Sequence, residues 1–295
     1  MMNSNSRMNI AFSPCPNDTF VFHAWVHGLI SGAPELEVMY ADIDITNGLA
    51  AERRGPELLK ISYAALPWLL DDYALLPCGG ALGRGCGPLV LTGGRSSSAS
   101  IQSPSQLSGR RVAVPSERST AYLLFRLWAA QQIPGGVGEI VVMPFNEIMP
   151  AVKRGDIDAG LVIHEARFTY PSFGLTMLTD LGSWWESDTG LPIPLGAIIA
   201  RRSLDLTALA KWIRASVEYA WAHPDASKDY VLQYAQEMDP QVAEQHINLY
   251  VNEFTANLGQ EGYAAVEALL TRAASEGLVP EIDLAALRWI STDND

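Results

Sequence analysis

Cysteine is scarce in this chain. Cys15, Cys78 and Cys86 are the three in 295 residues, and no two form a Cys-x-x-Cys pair. An odd, sparse count does not make a disulfide framework and points to a reducing compartment. Basic charge is also short: 20 Lys and Arg stand against 33 Asp and Glu, a net charge of −13. A nucleic-acid binder needs a basic face, so that class of partner is set aside. An anionic small molecule would need local donors set against the overall field. No apolar run approaches the ~20 residues that a membrane helix requires. The opening MMNSNSRMN lacks the apolar core of a signal peptide. The expectation is a soluble, cytoplasmic protein with no membrane partner. Nothing in the sequence speaks to its oligomeric state.

Two kinds of cofactor signature are missing as well. His23 and His27 share a helix face at i and i+4, but no His-Glu-x-x-His pattern accompanies them. They read as two partly exposed helix histidines, and no metal is expected. Residues 79–88 hold five glycines, yet no Gly-Lys-Ser/Thr follows. Pro88 and a strand-like Leu89–Thr92 come next instead of a helix, so the segment is neither a P-loop nor a dinucleotide fingerprint. It reads as a turn, with Arg84 either solvated or facing a ligand carboxylate.

What is present is apolar material: 48% hydrophobic residues against 18% charged. That supports packed cores, and the length favours two domains. The first half reads as alternating strands and helices. Met8–Phe12 is a strand, and the polar loop Ser13–Asp18 leads into a helix over Thr19–His27, with Asn17 or Asp18 as its cap. A helix start after a strand suits an anion or polar ligand, and it also suits simple capping. Strands follow at Leu36–Ile43, Leu58–Ser62 and Tyr73–Leu76, with a helix over Thr46–Arg54. Lys60 lies inside an otherwise apolar strand, where a charge costs free energy unless paired. Two readings fit it: an edge strand with Lys60 in solvent, or a strand end that faces a ligand. The small polar run 93–100 marks a first crossover between lobes.

A second α/β pattern then opens. Val112–Pro115 is a strand, Ser116–Thr120 a polar junction, and Ala121–Gln132 a strongly apolar helix. Ser119 and Thr120 stand where free N–H groups and the positive end of the helix dipole collect. They fit N-capping, carboxylate or hydroxyl binding, or both. Strands at Glu139–Met143 and Ile157–Ile163 flank a helix over Asn146–Arg154, and the second of them ends abruptly on His164. In open α/β sheets ligands bind outside the carboxyl ends of strands. Histidine, with an ordinary pKa of about 6.5, suits proton abstraction near pH 7. A lone histidine after an apolar run fits a packed structural residue equally well.

Leu175–Leu178 is a further strand, and the Trp184-Trp185 pair fits ring stacking or core packing. The stiff run Leu191–Gly196 marks a second crossover, before a strand over Ala197–Ala200. From residue 203 onward the chain is helical, with one apolar stripe at Leu206, Leu209, Ile213, Val217 and Ala220. No chemistry is expected there, and His246 reads as structural. The fold expected is two α/β lobes with a cleft between them: a discontinuous large lobe of residues 1–94 and 197–295, and a small lobe of 95–196.

Four motifs in order sharpen this. They are Ser-Pro-Cys-Pro-Asn-Asp-Thr-Phe at 13–20, Gly-Gly-Ala-Leu-Gly-Arg-Gly at 79–85, His-Glu-Ala-Arg-Phe-Thr-Tyr-Pro at 164–171 and Gly-Leu-Pro-Ile-Pro-Leu-Gly at 190–196. Together they resemble the 1,4-dihydroxy-6-naphthoate synthases of the futalosine route to menaquinone, which have a type II periplasmic-binding-protein-like fold. The resemblance runs from about residue 8 to the last helices. It implies a lyase that converts cyclic dehypoxanthine futalosine, a small anionic aromatic precursor, to 1,4-dihydroxy-6-naphthoate. His164 would be the general base, and Lys60, Ile61 and Ser62 with Ser119 and Thr120 the substrate-binding residues. No cofactor is implied. Asn17 is added as a donor to a substrate oxygen, and Lys60, Arg84 or a helix N-terminus as the holder of the carboxylate. Ser119 departs from a frequent threonine, and segment 44–57 departs from the family pattern. Two other readings stand beside this one: a chorismate dehydratase of the same pathway, and a non-catalytic solute-binding protein, against which the missing export signal counts.

Overall fold

The computed structural model describes residues 7–93, 101–235 and 239–288. Its strands are β1 (Arg7–Phe12), β2 (Glu35–Tyr40), β3 (Leu58–Ser62), β4 (Tyr73–Leu75), β5 (Ala81–Gly83), β6 (Leu89–Thr92), β7 (Arg111–Val114), β8 (Glu139–Val142), β9 (Ala159–Val162), β10 (Thr176–Asp180) and β11 (Ile193–Arg201). The helices are α1 (Pro16–Val26), α2 (Ile43–Ala51), α3 (Thr120–Gln132), α4 (Phe145–Arg154), α5 (Ala166–Thr169), α6 (Leu181–Thr189), α7 (Leu206–Ala222), α8 (Lys228–Tyr234), α9 (Pro240–Tyr250), α10 (Glu253–Ala256) and α11 (Gly259–Ser275). None is long and apolar enough to cross a membrane.

The chain divides into two compact units: Met1–Gly83 with Pro194–Asp295, and Arg84–Ile193. The expected division was 1–94 with 197–295, and 95–196. The difference lies in β6, which pairs antiparallel with β9 and β10 and so joins the second unit's sheet. Of the expected first crossover, residues 94–100 lie outside the described residues. The expected second crossover, Leu191–Gly196, contains the change of unit, which falls between Ile193 and Pro194. β11 runs continuously from Ile193 to Arg201 and pairs with β3 from Gly196, opposite Ser62, to Ala200, opposite Leu58.

The first unit holds a sheet of order β2-β1-β3-β11-β4, with β5 on β11. β1 is parallel to both β2 and β3, and the chain returns late to lay β11 antiparallel between β3 and β4. Ile10, Ala11 and Phe12 are all fully buried, as expected of a central strand covered on both faces. The apolar stripe of α7 packs on α1, with Leu209, Ile213, Val217 and Ala220 in one core with Phe12, Phe22 and Trp25. Ser216 interrupts that stripe without a polar cost: its hydroxyl donates to Val21 O at 2.6 Å and accepts from Trp25 N at 3.3 Å.

The second unit's sheet runs β10-β6-β9-β7-β8. Its core gathers Leu89, Leu91, Ala113, Ile148, Val152 and Val162. Glycine at 160 is required by close packing, since a Cβ there would lie 2.5 Å from the Ile148 side chain of α4. The glycine-rich run also has a packing role. A Cβ on Gly87 would lie 2.0 Å from the backbone nitrogen of Gly182, so two backbones pass in contact where α6 begins.

α1 begins three residues earlier than the sequence suggests. Cys15 holds the cap position and Pro16 the first helical one, where a fixed φ and a missing N–H cost nothing. Asn17 and Asp18 are therefore first-turn residues with buried side chains, not caps. α2 likewise starts at Ile43, after Asp42, and Thr46 lies within its first turns.

Candidate functional site

In the second unit, β9 ends at Val162, and the backbone turns at His164, whose φ is +53°. Left-handed backbone is unusual for a residue with a Cβ and costs of order 1–3 kcal/mol unless the surroundings impose it. Two bonds do so here. The His164 carbonyl accepts from Arg167 N at 3.3 Å, and the Glu165 carbonyl accepts from Phe168 N at 2.9 Å, which starts α5 directly. The half-buried imidazole meets the Phe145 ring edge-to-face, with centroids 5.6 Å apart. A strand continued past Val162 would point Glu165 opposite to His164. The turn removes that premise, and Glu165 is a buried residue at the start of α5.

Arg167 anchors this turn from the other side. Its guanidinium donates to Gly87 O at 2.7 Å and to Asp180 Oδ2 at 2.5 Å. The other oxygen of Asp180 caps α6, accepting from Gly182 N and Ser183 N. The Arg167–Asp180 pair thus ties α5, the Gly87 turn and α6 together. Arg167 was not singled out from sequence, although it sits inside the motif that was.

Ser119 is the N-cap of α3. Its hydroxyl accepts from Tyr122 N at 3.1 Å and donates to Ser116 O at 3.0 Å. Capping is therefore its structural role, worth about 1 kcal/mol. Thr120 is the first helical residue, and both side chains are buried. They stand at the positive end of a helix of 13 residues.

The first unit resolves the question posed by Lys60. β3 lies between β1 and β11, so it is not an edge strand. The ammonium is buried and donates to Asp18 Oδ1 at 2.7 Å and to Gly79 O at 3.3 Å. Its charge is already compensated inside the unit, which weakens it as a holder of a ligand carboxylate. Gly196 makes room for it: a Cβ there would lie 2.9 Å from Lys60 Cε. Ile61 is fully buried opposite Ala197, so it offers a ligand its backbone only. Ser62 is held by Asn47, whose Oδ1 accepts from Ser62 N at 2.8 Å and whose Nδ2 donates to Ser62 Oγ at 3.0 Å. That leaves the Ser62 hydroxyl hydrogen to donate elsewhere. Asn47 lies in the 44–57 segment, which departs from the family pattern in sequence.

Asn17 is turned inward. Its Nδ2 donates to Asp18 Oδ1 at 2.9 Å, and its Oδ1 lies 2.9 Å from His246 Nε2. One Nδ2 hydrogen remains beyond these bonds. His246, assigned no chemistry from its position in α9, is thus joined to the motif at 13–20. Spacing cannot reveal this, because 229 residues separate the pair.

Several other residues have structural roles. Arg84 is half exposed and donates to Gly190 O. Trp185 is core, its Nε1 donating to Pro192 O, and Trp184 donates to Gln131. Cys86 is buried, and loss of solvation pushes its thiol up to about 12, so it is no nucleophile near neutral pH. His23 is buried rather than partly exposed. Burial lowers its pKa, and His27 adds to that.

A family model described as menaquinone biosynthesis matches residues 8–275. A Streptomyces coelicolor protein named 1,4-dihydroxy-6-naphtoate synthase is 66% identical over 289 residues, covering 97% of this chain and 99% of that protein. A Thermus thermophilus protein of the same name is 46% identical over 275 residues, 92% and 95% of the two chains. Among solved structures, an Archaeoglobus fulgidus protein aligns with a TM-score of 0.83 at 32% identity, over 95% of this chain and all of the other. The periplasmic aliphatic sulphonate binding protein of Escherichia coli aligns at 0.68 with 13% identity, over 98% and 94% of the two chains. That last likeness concerns the fold alone, which is periplasmic-binding-protein-like with two α/β units.

Proposed function

The chain belongs to the menaquinone-biosynthesis family, and from that premise we propose that it is a carbon–carbon lyase forming 1,4-dihydroxy-6-naphthoate from cyclic dehypoxanthine futalosine. The observation that carries this reading is the near-full-length identity to the Streptomyces coelicolor synthase. The residue chemistry agrees with it. The reaction needs a base of near-neutral pKa and donors for developing oxyanion charge, and it ends in an aromatic ring without net redox change.

His164 takes the proton that initiates cleavage. Its turn is fixed by the start of α5 and by the Arg167 clamp. The substrate is held in the first unit by the β3 segment Lys60-Ile61-Ser62. There Ser62 donates its hydroxyl hydrogen, and Asn17 adds its remaining amide hydrogen. In the second unit, Ser119 and Thr120 bring the positive end of α3 to a substrate carboxylate or hydroxyl. With Lys60 already paired to Asp18, that helix end is the better carboxylate holder.

Purified protein incubated with the cyclic substrate should yield the naphthoate, detected by mass and ultraviolet absorbance. Dehydration of chorismate with no naphthoate formed would assign it instead to the sibling enzyme. Recovery of tightly bound, unchanged ligand would make it a binding protein. Within the active enzyme, Ser119→Ala and Thr120→Ala are each expected to raise KM several-fold with kcat nearly unchanged, measured by steady-state kinetics. A large fall in kcat at constant KM would place these residues in transition-state stabilisation.

A further inference from the structure

His246 is almost fully buried in α9, against the ring of Tyr250 on the same helix at 4.6 Å between centroids. Its Nε2 lies 2.9 Å from Asn17 Oδ1, Asn17 Nδ2 lies 2.9 Å from Asp18 Oδ1, and that oxygen lies 2.7 Å from Lys60 Nζ. All four side chains are buried within the first unit. The direction of each bond follows from donor chemistry. An aspartate beside an ammonium only accepts, so Asn17 must present its amide nitrogen to Asp18 and its oxygen to His246. An amide oxygen also only accepts, so the Nε2 of His246 carries a hydrogen.

We propose that His246 is a positioning residue for substrate binding. Through Asn17 and Asp18 it fixes the Lys60 ammonium, and with it the carboxyl end of β3. This rests on the reading that Lys60-Ile61-Ser62 holds the substrate. The buried Lys60–Asp18 pair can settle in more than one geometry unless a further group selects one. Asn17 selects it, and Asn17 has its own orientation set by the histidine. Removing the donor leaves Asn17 Oδ1 buried without its partner, a cost the side chain relieves by rotating away from Asp18. The ammonium then re-forms its contacts, and the end of β3 moves with it. The role proposed for this network is to hold substrate, not to move a proton. The defect therefore belongs in KM rather than in kcat.

His246→Phe keeps the ring volume and removes the donor. It is expected to raise KM about tenfold, the weight of one buried hydrogen bond to a well-ordered network, with kcat within about threefold of wild type. His246→Gln, whose amide nitrogen can stand near the Nε2 position, is expected to restore KM to within about threefold. If His246→Phe does not fold, His246→Asn, whose amide is too short to reach Asn17, is read in its place. Ring-15N NMR of the wild-type protein, assigned by the signal missing in His246→Gln, is expected to show hydrogen on Nε2.

The proposal is overturned by an unchanged KM in the folded Phe or Asn variant, by a Gln variant no better than it, or by a tautomer bare at Nε2. Ser62→Ala separates this outcome from failure of the binding-strand reading. If Ser62→Ala leaves KM unchanged, the strand's role in binding is wrong. If it raises KM while the His246 variants do not, the positioning role alone is wrong.

Discussion

His164→Asn is expected to lower kcat by roughly 10²–10⁴-fold, the range a positioned general base supplies, while the protein stays folded and binds substrate. Asparagine is the informative replacement because of the backbone. At φ +53° most side chains are strained, and asparagine is among the few non-glycine residues that visit this region readily. The turn into α5 should therefore survive, so a loss of rate reports on the imidazole. His164→Gly extends the test. Glycine relieves the left-handed strain, and the folded state should gain up to about 1 kcal/mol, offset in part by greater freedom of the unfolded chain. A variant at least as heat-stable as wild type yet without turnover would mark 164 as a position where stability is given up for chemistry. Steady-state kinetics with thermal melts of both variants decide it. Near wild-type turnover in His164→Asn would remove the base assignment.

Much of the fold was legible because the signals are local. Strands β3 and β6 fall where the apolar runs place them, and the stripe on α7 is buried as its spacing requires. The errors came from information that is not local. β6 looks like the last strand of the first unit until its antiparallel partners β9 and β10 are known, and those lie far along the chain. The site divides in the same way. His164 and the Ser119–Thr120 helix start each carry a sequence mark, a strand end or a cap. Asn47 and His246 carry none, and Asp18 is marked only as a possible cap, because their importance lies in which buried group they meet. Lys60 sits between these cases. Its cost in an apolar strand was visible, but its compensation by Asp18, 42 residues earlier, was not.

That compensation gives the largest expected effect on stability. The Lys60 and Asp18 side chains are 4% and 3% exposed and 2.7 Å apart. Removing one partner of a buried pair leaves an uncompensated charge and typically costs about 3–5 kcal/mol. Asp18→Asn leaves the Lys60 ammonium with Gly79 O as its remaining acceptor of the two. A fall in melting temperature of about 10 °C is the expected scale for a chain of this size. Lys60→Met alone should cost a similar amount, since it strands the carboxylate with the Asn17 amide. Combining Asp18→Asn with Lys60→Met removes both charges, and a large part of the lost stability should return, because the desolvation of two ions goes with them. Binding should not return, because the line from His246 through Asn17 then ends on a neutral amide with no ammonium beyond it. Thermal melts of the three variants and KM for the double variant test the two halves separately. Additive losses in the double variant would show that the two residues are not coupled. A recovered KM would show that the pair shapes the core of the first unit without shaping its ligand site.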